Sequence, residues 1–450
     1  MLSVFTRSFS KTSALATASL ILVLSGHAKA ASQTIFAAST SGHDRYYSVS
    51  FDAQGNFYAV GSVADGILKT DDQKTLVVKF LNDGQLDVTF GVGGYAIFNL
   101  AAGADGESAR AVVADGEGRV LVGGTIEHAG ATDSRDRDVY VIRVNPVTGA
   151  LDSTWGTAGV SVLDFGAGVE NGTAYTADGF GGIALDPGGR LIVEGLQKRV
   201  DGLDSDFVIA RLDANGALDP TYGTNGTFTF DRDNLNASAK TPVVLPTGEV
   251  FGTGYSRNGS ITSPVIFKLD PNGLLDTTYG DQGAFTTLAL AGSTEIYSAV
   301  LQNDSLVTVG YGKSSETDNL DVVSLRVNAK GILDTTYGTN GFVRSDVDGF
   351  NDNGRNIASL PDGRHLLVGG GRYSSANVDG LALMLNADGS ADESFGEKGQ
   401  QLFDLGGASD FIWGVAISPA GDKAVLAGIK GVGTNPGNDD AAIVVIDLKK

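Results

Sequence analysis

The sequence predicts an all-β chain of seven four-stranded units closed into a ring. Three observations carry that prediction. A phrase of the form Leu-Asp-x-Thr-aromatic-Gly returns six times, its copies 57 to 67 residues apart. Between the copies stand short β-branched and aromatic runs bounded by Gly, Asn and Asp, which is the strand signal. The last unit ends after three such runs, while an unassigned run, Gln33-Thr-Ile-Phe-Ala-Ala-Ser39, precedes the first unit. Pairing the two completes the seventh unit and leaves no exposed sheet edge between first and last. The expected fold is therefore a seven-bladed β-propeller of four-stranded blades, the last blade closed by the N-terminal strand. An open array would need polar caps at both ends.

In chain order, residues 1–30 come first and read as a leader. Arg7 and Lys11 precede an apolar run over 14–24, and small residues ending Ala28-Lys29-Ala30 follow. This is the layout of a secretory signal peptide cleaved after Ala30, and the run is shorter than the roughly 20 residues needed to span a bilayer. Its removal leaves 29 basic and 53 acidic residues, a net −24 against −21 for the whole chain. The expected product is periplasmic or extracellular, without membrane insertion. Residues 31–450 then form one propeller domain. Its units run 41–100, 101–165, 166–231, 232–290, 291–347, 348–406, and 407–450 completed by 32–40.

Unit two shows the plan of every blade. Ala109 to Val113 leads into the turn Asp115-Gly-Glu-Gly118, and Arg119 to Ile126 runs back. After a polar loop, Asp138-Val-Tyr-Val-Ile-Arg-Val144 forms a third strand. The repeated phrase at 151–156 then leads to the fourth, Val160 to Phe165. No long apolar period of 3.6 residues is present, so helices are expected to be few.

The run Asp206-Phe-Val-Ile-Ala-Arg-Leu-Asp-Ala-Asn-Gly-Ala-Leu-Asp-Pro-Thr-Tyr-Gly-Thr-Asn-Gly226 resembles the bacterial delta-60 repeat. That pattern has Asp-Phe at the head of a strand, an Arg within it, and Gly-x-Leu-Asp-x-Thr-Phe-Gly after it. The resemblance covers nearly all of residues 31–450. It implies a propeller of unknown function and supplies no catalytic residues.

The repeated residues read as structural. Gly in Asn215-Gly216, Asn272-Gly273 and Asp388-Gly389 suits tight hairpins needing positive φ. Asp87, Asp152, Asp219, Asp276, Asp334 and Asp392 are expected to accept backbone N–H bonds, with the Thr or Ser two residues on closing a small network. Phe90, Trp155, Tyr222, Tyr279, Tyr337 and Phe395 are expected to wedge between blades. An EF-hand reading of Asp213 to Asp219 fails on spacing, because Gly falls at position 4 and no Glu stands at 12.

One recurring feature offers more. Asp138, Asp206, Asp321, Asp379 and Asp440 open third strands, and a basic residue follows at Lys79, Arg143, Arg211, Lys268 and Arg326. The odd separation places Asp and base on opposite strand faces. The five Asp are candidate metal ligands, for calcium if any, against the plainer reading of loop caps.

Composition excludes several classes. With no Cys, disulfides, thiolate metal sites and Cys nucleophiles are absent. The acidic balance argues against nucleic-acid binding. His43, His128 and His365 are scattered, and no nucleophile elbow or phosphate-binding loop occurs. The connections after second and fourth strands are long and variable, with acids such as Asp133, Asp136, Glu170, Asp178, Asp346, Asp348 and Asp352. Function usually lies in such loops on a rigid scaffold. The expectation is a monomeric, non-enzymatic binding or scaffold propeller that engages a protein or glycan through this variable face. The alternative is a calcium-binding propeller, with or without metal-dependent hydrolase activity.

Overall fold

The computed structural model describes residues 43–64, 72–101, 106–115, 118–128, 136–166, 178–198, 204–374, 377–431 and 439–448, the side chains of 372–374 excepted, and the backbone of strands Leu20–Val23 and Ser32–Ile35. Seven antiparallel sheets follow one another along the chain. Blade 1 comprises Arg45–Phe51, Phe57–Ala64, Gln73–Phe80 and Tyr95–Phe98. Blade 2 comprises Ser108–Ala114, Val120–Glu127, Arg137–Val144 and Val160–Leu163. Blade 3 has Gly179–Leu185, Leu191–Lys198, Ser205–Leu212 and Thr227–Phe230. Blade 5 has Ser293–Gln302, Ser305–Lys313, Asp321–Val327 and Phe342–Ser345. Blade 6 has Asn353–Ser359, His365–Ser374, Asn377–Leu385 and Gln400–Phe403. No helix occurs among the described residues.

Blade 4 departs from the common plan. Its first strand is split into Asn236–Ala239 and Val243–Val244, followed by Val250–Asn258, Ile261–Leu269 and a short Ala284–Phe285. Pro242 lies in the split and has no N–H to give the ladder. Blade 7 combines Phe411–Ile417, Lys423–Gly431 and Asp439–Asp447 with Ser32–Ile35, where Gln33 stands opposite Val444. The closure expected from the sequence is therefore present. Leu20–Val23 adds an outer strand beyond Ser32–Ile35.

First strands are innermost: each touches the first strand of both neighbours, blade 7 meeting blade 1. Seven apolar clusters among the described residues fill the seven joints between blades. The closing joint has its own, with Val425, Ala427, Ala441 and Ile443 packed on Phe57, Ala59, Leu76 and Val78. Successive residues of a strand serve opposite joints. Phe57 and Ala59 face blade 7, whereas Tyr58 and Val60 face blade 2. Burial on both faces explains why second and third strands read as continuous apolar runs rather than alternating ones.

The repeated phrase locks the joints at one end of the ring. Asp Oδ1 accepts the Thr or Ser hydroxyl two residues on at 2.5–2.7 Å in all six copies. Oδ2 meets the third-strand base of its own blade, as in Lys79–Asp87 at 3.0 Å, Arg211–Asp219 at 2.9 Å and Arg326–Asp334 at 2.8 Å. That base also donates to a carbonyl of the next blade: Lys79 to Pro146 at 2.9 Å, Arg211 to Pro271 at 2.7 Å, Arg326 to Ala387 at 2.8 Å. The Gly ending the phrase donates its N–H across the same joint, Gly223 to Asn272 O at 2.7 Å and Gly338 to Asp388 O at 2.8 Å. Blade 6 has Met384 at the basic position, and Arg364 of its first turn pairs with Asp392 instead, at 2.6 Å. The aromatics Phe90, Trp155, Tyr222, Tyr279 and Tyr337 are buried in joints, as expected, and Phe395 is partly buried against one.

Candidate functional site

The third-strand carboxylates lie at the end of the ring opposite these locks, two strands out from the axis. They do not share one site. Asp138 groups with His128 and Asp164, Asp206 with Asp204 and Asp231, Asp321 with Asp346 and Asp352, and Asp379 with Asp404 and Asp410, each group having ligand atoms within 4.8 Å. Asp440 stands opposite Lys430 in its sheet. Side-chain donors already meet several of these carboxylates: His128 Nδ1 lies 2.9 Å from Asp138, Arg344 bonds Asp321, and Asn377 donates to Asp379 at 2.8 Å. Burial pushes the Asp138, Asp321, Asp379 and Asp440 carboxyls above their ordinary value. Asp133 and Glu170 lie outside the described residues.

A second set of acids, of which Asp178 and Asp352 stand out in the sequence only as loop acids, opens the first strands. Asp178 accepts the Phe165 N–H, Asp352 that of Val347 at 2.6 Å, and Asp410 that of Leu405 at 2.6 Å. Glu107 accepts from Leu100 and Ala101. In blade 5 the Thr294 hydroxyl takes this place, accepting from Ala289 and Leu290 at 3.1 Å. These side chains cap the turn leaving the preceding blade. Burial raises Glu107 and Asp178 to about 7 and Asp410 to about 6, against the backbone donors.

The remaining feature is on the axis. Six of the seven first strands carry a β-bulge, where the pairing register skips one residue, and blade 4 has its split at the same place. The skipped residues are Tyr47, Arg110, Gly181, Tyr297, Arg355 and Trp413, with Lys240 in the split of blade 4. A bulge turns one side chain out of the alternation. Here that side chain leaves the joints and points inward, about 7 Å from the strand start on the variable face.

Glycine in the second strand makes the bulge fit. Gly61, Gly124, Gly195, Gly254, Gly310, Gly369 and Gly428 each face the residue preceding the skip. A Cβ at any of them would lie 1.7–2.5 Å from a first-strand carbonyl oxygen. These glycines lie within second strands and are not turn residues.

The inward side chains touch in sequence around the axis. The Arg110 guanidinium lies 3.9 Å from the Tyr47 ring centre, and Tyr47 meets Trp413 edge-on at 5.6 Å. Arg355 lies 5.3 Å from the Trp413 ring and 4.1 Å from that of Tyr297. Lys240 sits 4.6 Å from Tyr297 and 5.1 Å from Tyr255. In blade 3 the bulged position is Gly181, which bears no side chain, and a Cβ there would lie 2.4 Å from Lys240 O. The Tyr297 hydroxyl bonds Tyr311 at 2.9 Å and Glu295 at 3.0 Å. Burial first, then the charge of Arg355, lowers Lys240 to about 8. Burial raises Tyr297 above its ordinary value and Tyr311 to about 12, so both phenols stay protonated at neutral pH.

His365 is buried against Ser359 at 3.1 Å and lowered by burial to about 4, a neutral packing residue. A depression of about 280 Å³ bordered by Glu249, Lys268 and Asp276 lies at the locked end and belongs to the ion pairs there.

A family model described as a domain of unknown function (DUF5122) beta-propeller matches residues 189–222. No curated protein matches the chain. Among solved structures, polysaccharide lyase Uly1 is similar at 10% identity and a TM-score of 0.50, with 90% of each chain covered. The periplasmic gluconolactonase PpgL of Pseudomonas aeruginosa aligns at 12% identity and TM-score 0.46, covering 86% of this chain and 96% of that one. Sqt1 from Chaetomium thermophilum aligns at 14% identity and TM-score 0.42, covering 92% and 100%. At these identities the likeness is one of fold.

Proposed function

We propose that this chain is an exported, monomeric binding propeller of the delta-60 type, holding a saccharide or a protein segment at the channel mouth on its variable face. One observation carries the reading: side chains from six blades leave the structural joints and touch one after another from Arg110 round to Lys240 at that mouth. A leader-like stretch at residues 1–30 supports export. The test is a saccharide array and an envelope pull-down with the wild type, a Tyr47→Ala/Trp413→Ala variant, and Thr278→Ala at the opposite end. Binding lost only in the axial variant supports the reading; binding lost equally in Thr278→Ala, or kept in the axial variant, overturns it.

Calcium binding is the second reading, favoured by the four carboxylate groups at the blade joints. A ligand held only by the folded chain raises its melting temperature. A calcium-dependent rise abolished by Asp379→Asn supports it, and equal melting in calcium and chelator removes it.

A further inference from the structure

The axial ring has a charge that the rest of the chain does not lead one to expect. The protein carries a formal −21, and its repeated bases are matched to repeated carboxylates. Arg110, Lys240 and Arg355 differ. They come from blades 2, 4 and 6, so they approach the axis from three sides. None forms an ion pair within 4.0 Å among the described residues, and each lies against aromatic rings. The carboxyls nearest Lys240 are Glu194 and Glu295. Glu194 is fully buried and accepts the Thr253 N–H at 2.9 Å, and burial pushes its carboxyl well above the ordinary value. Glu295 accepts the Tyr297 hydroxyl. Three cations thus converge, none of them in an ion pair among the described residues.

Two donors at the same place also lack acceptors. Arg355 Nε and Trp413 Nε1 are buried without a hydrogen-bond partner. Buried donors left unpaired are costly, and a bound water, ion or ligand atom is one way to satisfy them. The neighbouring surface offers the hydroxyls of Tyr255, Tyr297 and Tyr311 and the half-buried ring of Trp413, backed by the buried Tyr47. Cations for a carboxylate, hydroxyls for ring oxygens, and aromatic carbon for the apolar face of a pyranose are the groups an acidic sugar requires.

We propose that Arg110, Lys240 and Arg355 form an anion site at the channel mouth, and that its ligand is a carboxylated saccharide. The proposal rests on the axial-binding reading and narrows it to one ligand class. Like-charge crowding around Lys240 agrees with it, because a bound carboxylate relieves that repulsion.

The experiment is calorimetric titration of the full chain with trigalacturonate, its neutral methyl ester, a neutral trisaccharide, and inorganic sulfate. Trigalacturonate is expected to bind at least tenfold more tightly than its ester, with affinity falling as salt rises. Arg110→Gln, at an exposed position, and Lys240→Met are each expected to weaken it tenfold or more; circular dichroism and melting report whether each variant is folded. Equal binding of acid and ester overturns the anion site while leaving axial binding standing. Acid binding unchanged in both folded variants overturns the placement of the site. Sulfate binding without trigalacturonate binding keeps the anion site and overturns the saccharide. Failure of every probe to bind overturns the proposal, and the array and pull-down then decide the axial reading separately.

Discussion

Gly369→Ala tests the link between second-strand glycine and the inward bulge. The new Cβ would lie 1.7 Å from Asn353 O, 2.8 Å from its carbonyl carbon and 3.1 Å from Gly354 Cα. A carbon–oxygen contact settles at about 3.3 Å or more, so the strands must part by roughly 1.6 Å. All three obstacles are backbone, and no flexible side chain can yield. Overpacking of this kind costs about 1–3 kcal/mol, and loosening one or two ladder hydrogen bonds adds about 1 kcal/mol each. The lower unfolded-state entropy of Ala offsets about 0.5–1 kcal/mol. The net is a loss of about 3 kcal/mol. With an unfolding entropy of about 2.1 cal/mol/K per residue over about 400 ordered residues, melting drops by about 3–4 °C. Scanning calorimetry reads this directly. Gly118→Ala is the control: φ is +80° there and nothing lies within 4 Å of its Cβ, so only the backbone term of about 1 kcal/mol applies. Melting of Gly369→Ala within 1 °C of wild type would refute the packing argument.

Further outcomes follow from the same structure. Glu107 and Asp178 have folded values of about 7, above the unfolded carboxylate range, so their contribution to stability is complete below about pH 4 and is lost as pH rises toward 7. Asp152, Asp219, Asp276 and Asp334 are held below the ordinary value, chiefly by their Thr hydroxyls, so their contribution is present above about pH 4 and lost on further acidification. Melting in chelator is therefore highest in mildly acid buffer. Asp178→Asn should flatten the limb between pH 5 and 7, and a steady rise from pH 4 to 8 would contradict this. Arg211→Met leaves Asp219 with only the longer 3.5 Å contact to Arg190, and Pro271 O without its donor across a joint. It should cost about 3 kcal/mol and lower melting about as much as Gly369→Ala, read by the same calorimetry.

Most of the architecture was legible because the repeat writes it out. The closure followed from the missing strand of the last unit, and the Asp-Thr turns followed from side-chain chemistry two residues apart. The axial ring was not legible for a specific reason. A bulge adds one residue without changing the composition of its strand, so Ala109-Arg110-Ala111 looks like ordinary alternation. Its trace lies on the neighbouring strand, in Gly61, Gly124 and their equivalents, where glycine has no turn to explain it. The caps at Glu107, Asp178, Asp352 and Asp410 were hidden similarly among loop acids, since only the fold brings each to the backbone it holds. Asp138 and its equivalents were visible as a repeat, but their grouping with Asp164, Asp231, Asp346 and Asp404 depends on strand pairing.

The bulge separates two kinds of selection on this chain. Every other inner-strand side chain is shared between a sheet and a joint, so changing it disturbs two neighbours at once. The bulged residue stands apart from that sharing, and Tyr, Arg, Trp and Gly occupy it in the six blades of the common plan. The five of these positions that carry a side chain can thus be rewritten one at a time while the glycines opposite stay fixed, whereas a Cβ at Gly181 would meet Lys240 O. A descendant could acquire a new ligand by exchanging side chains at the mouth, with the ring beneath it unchanged.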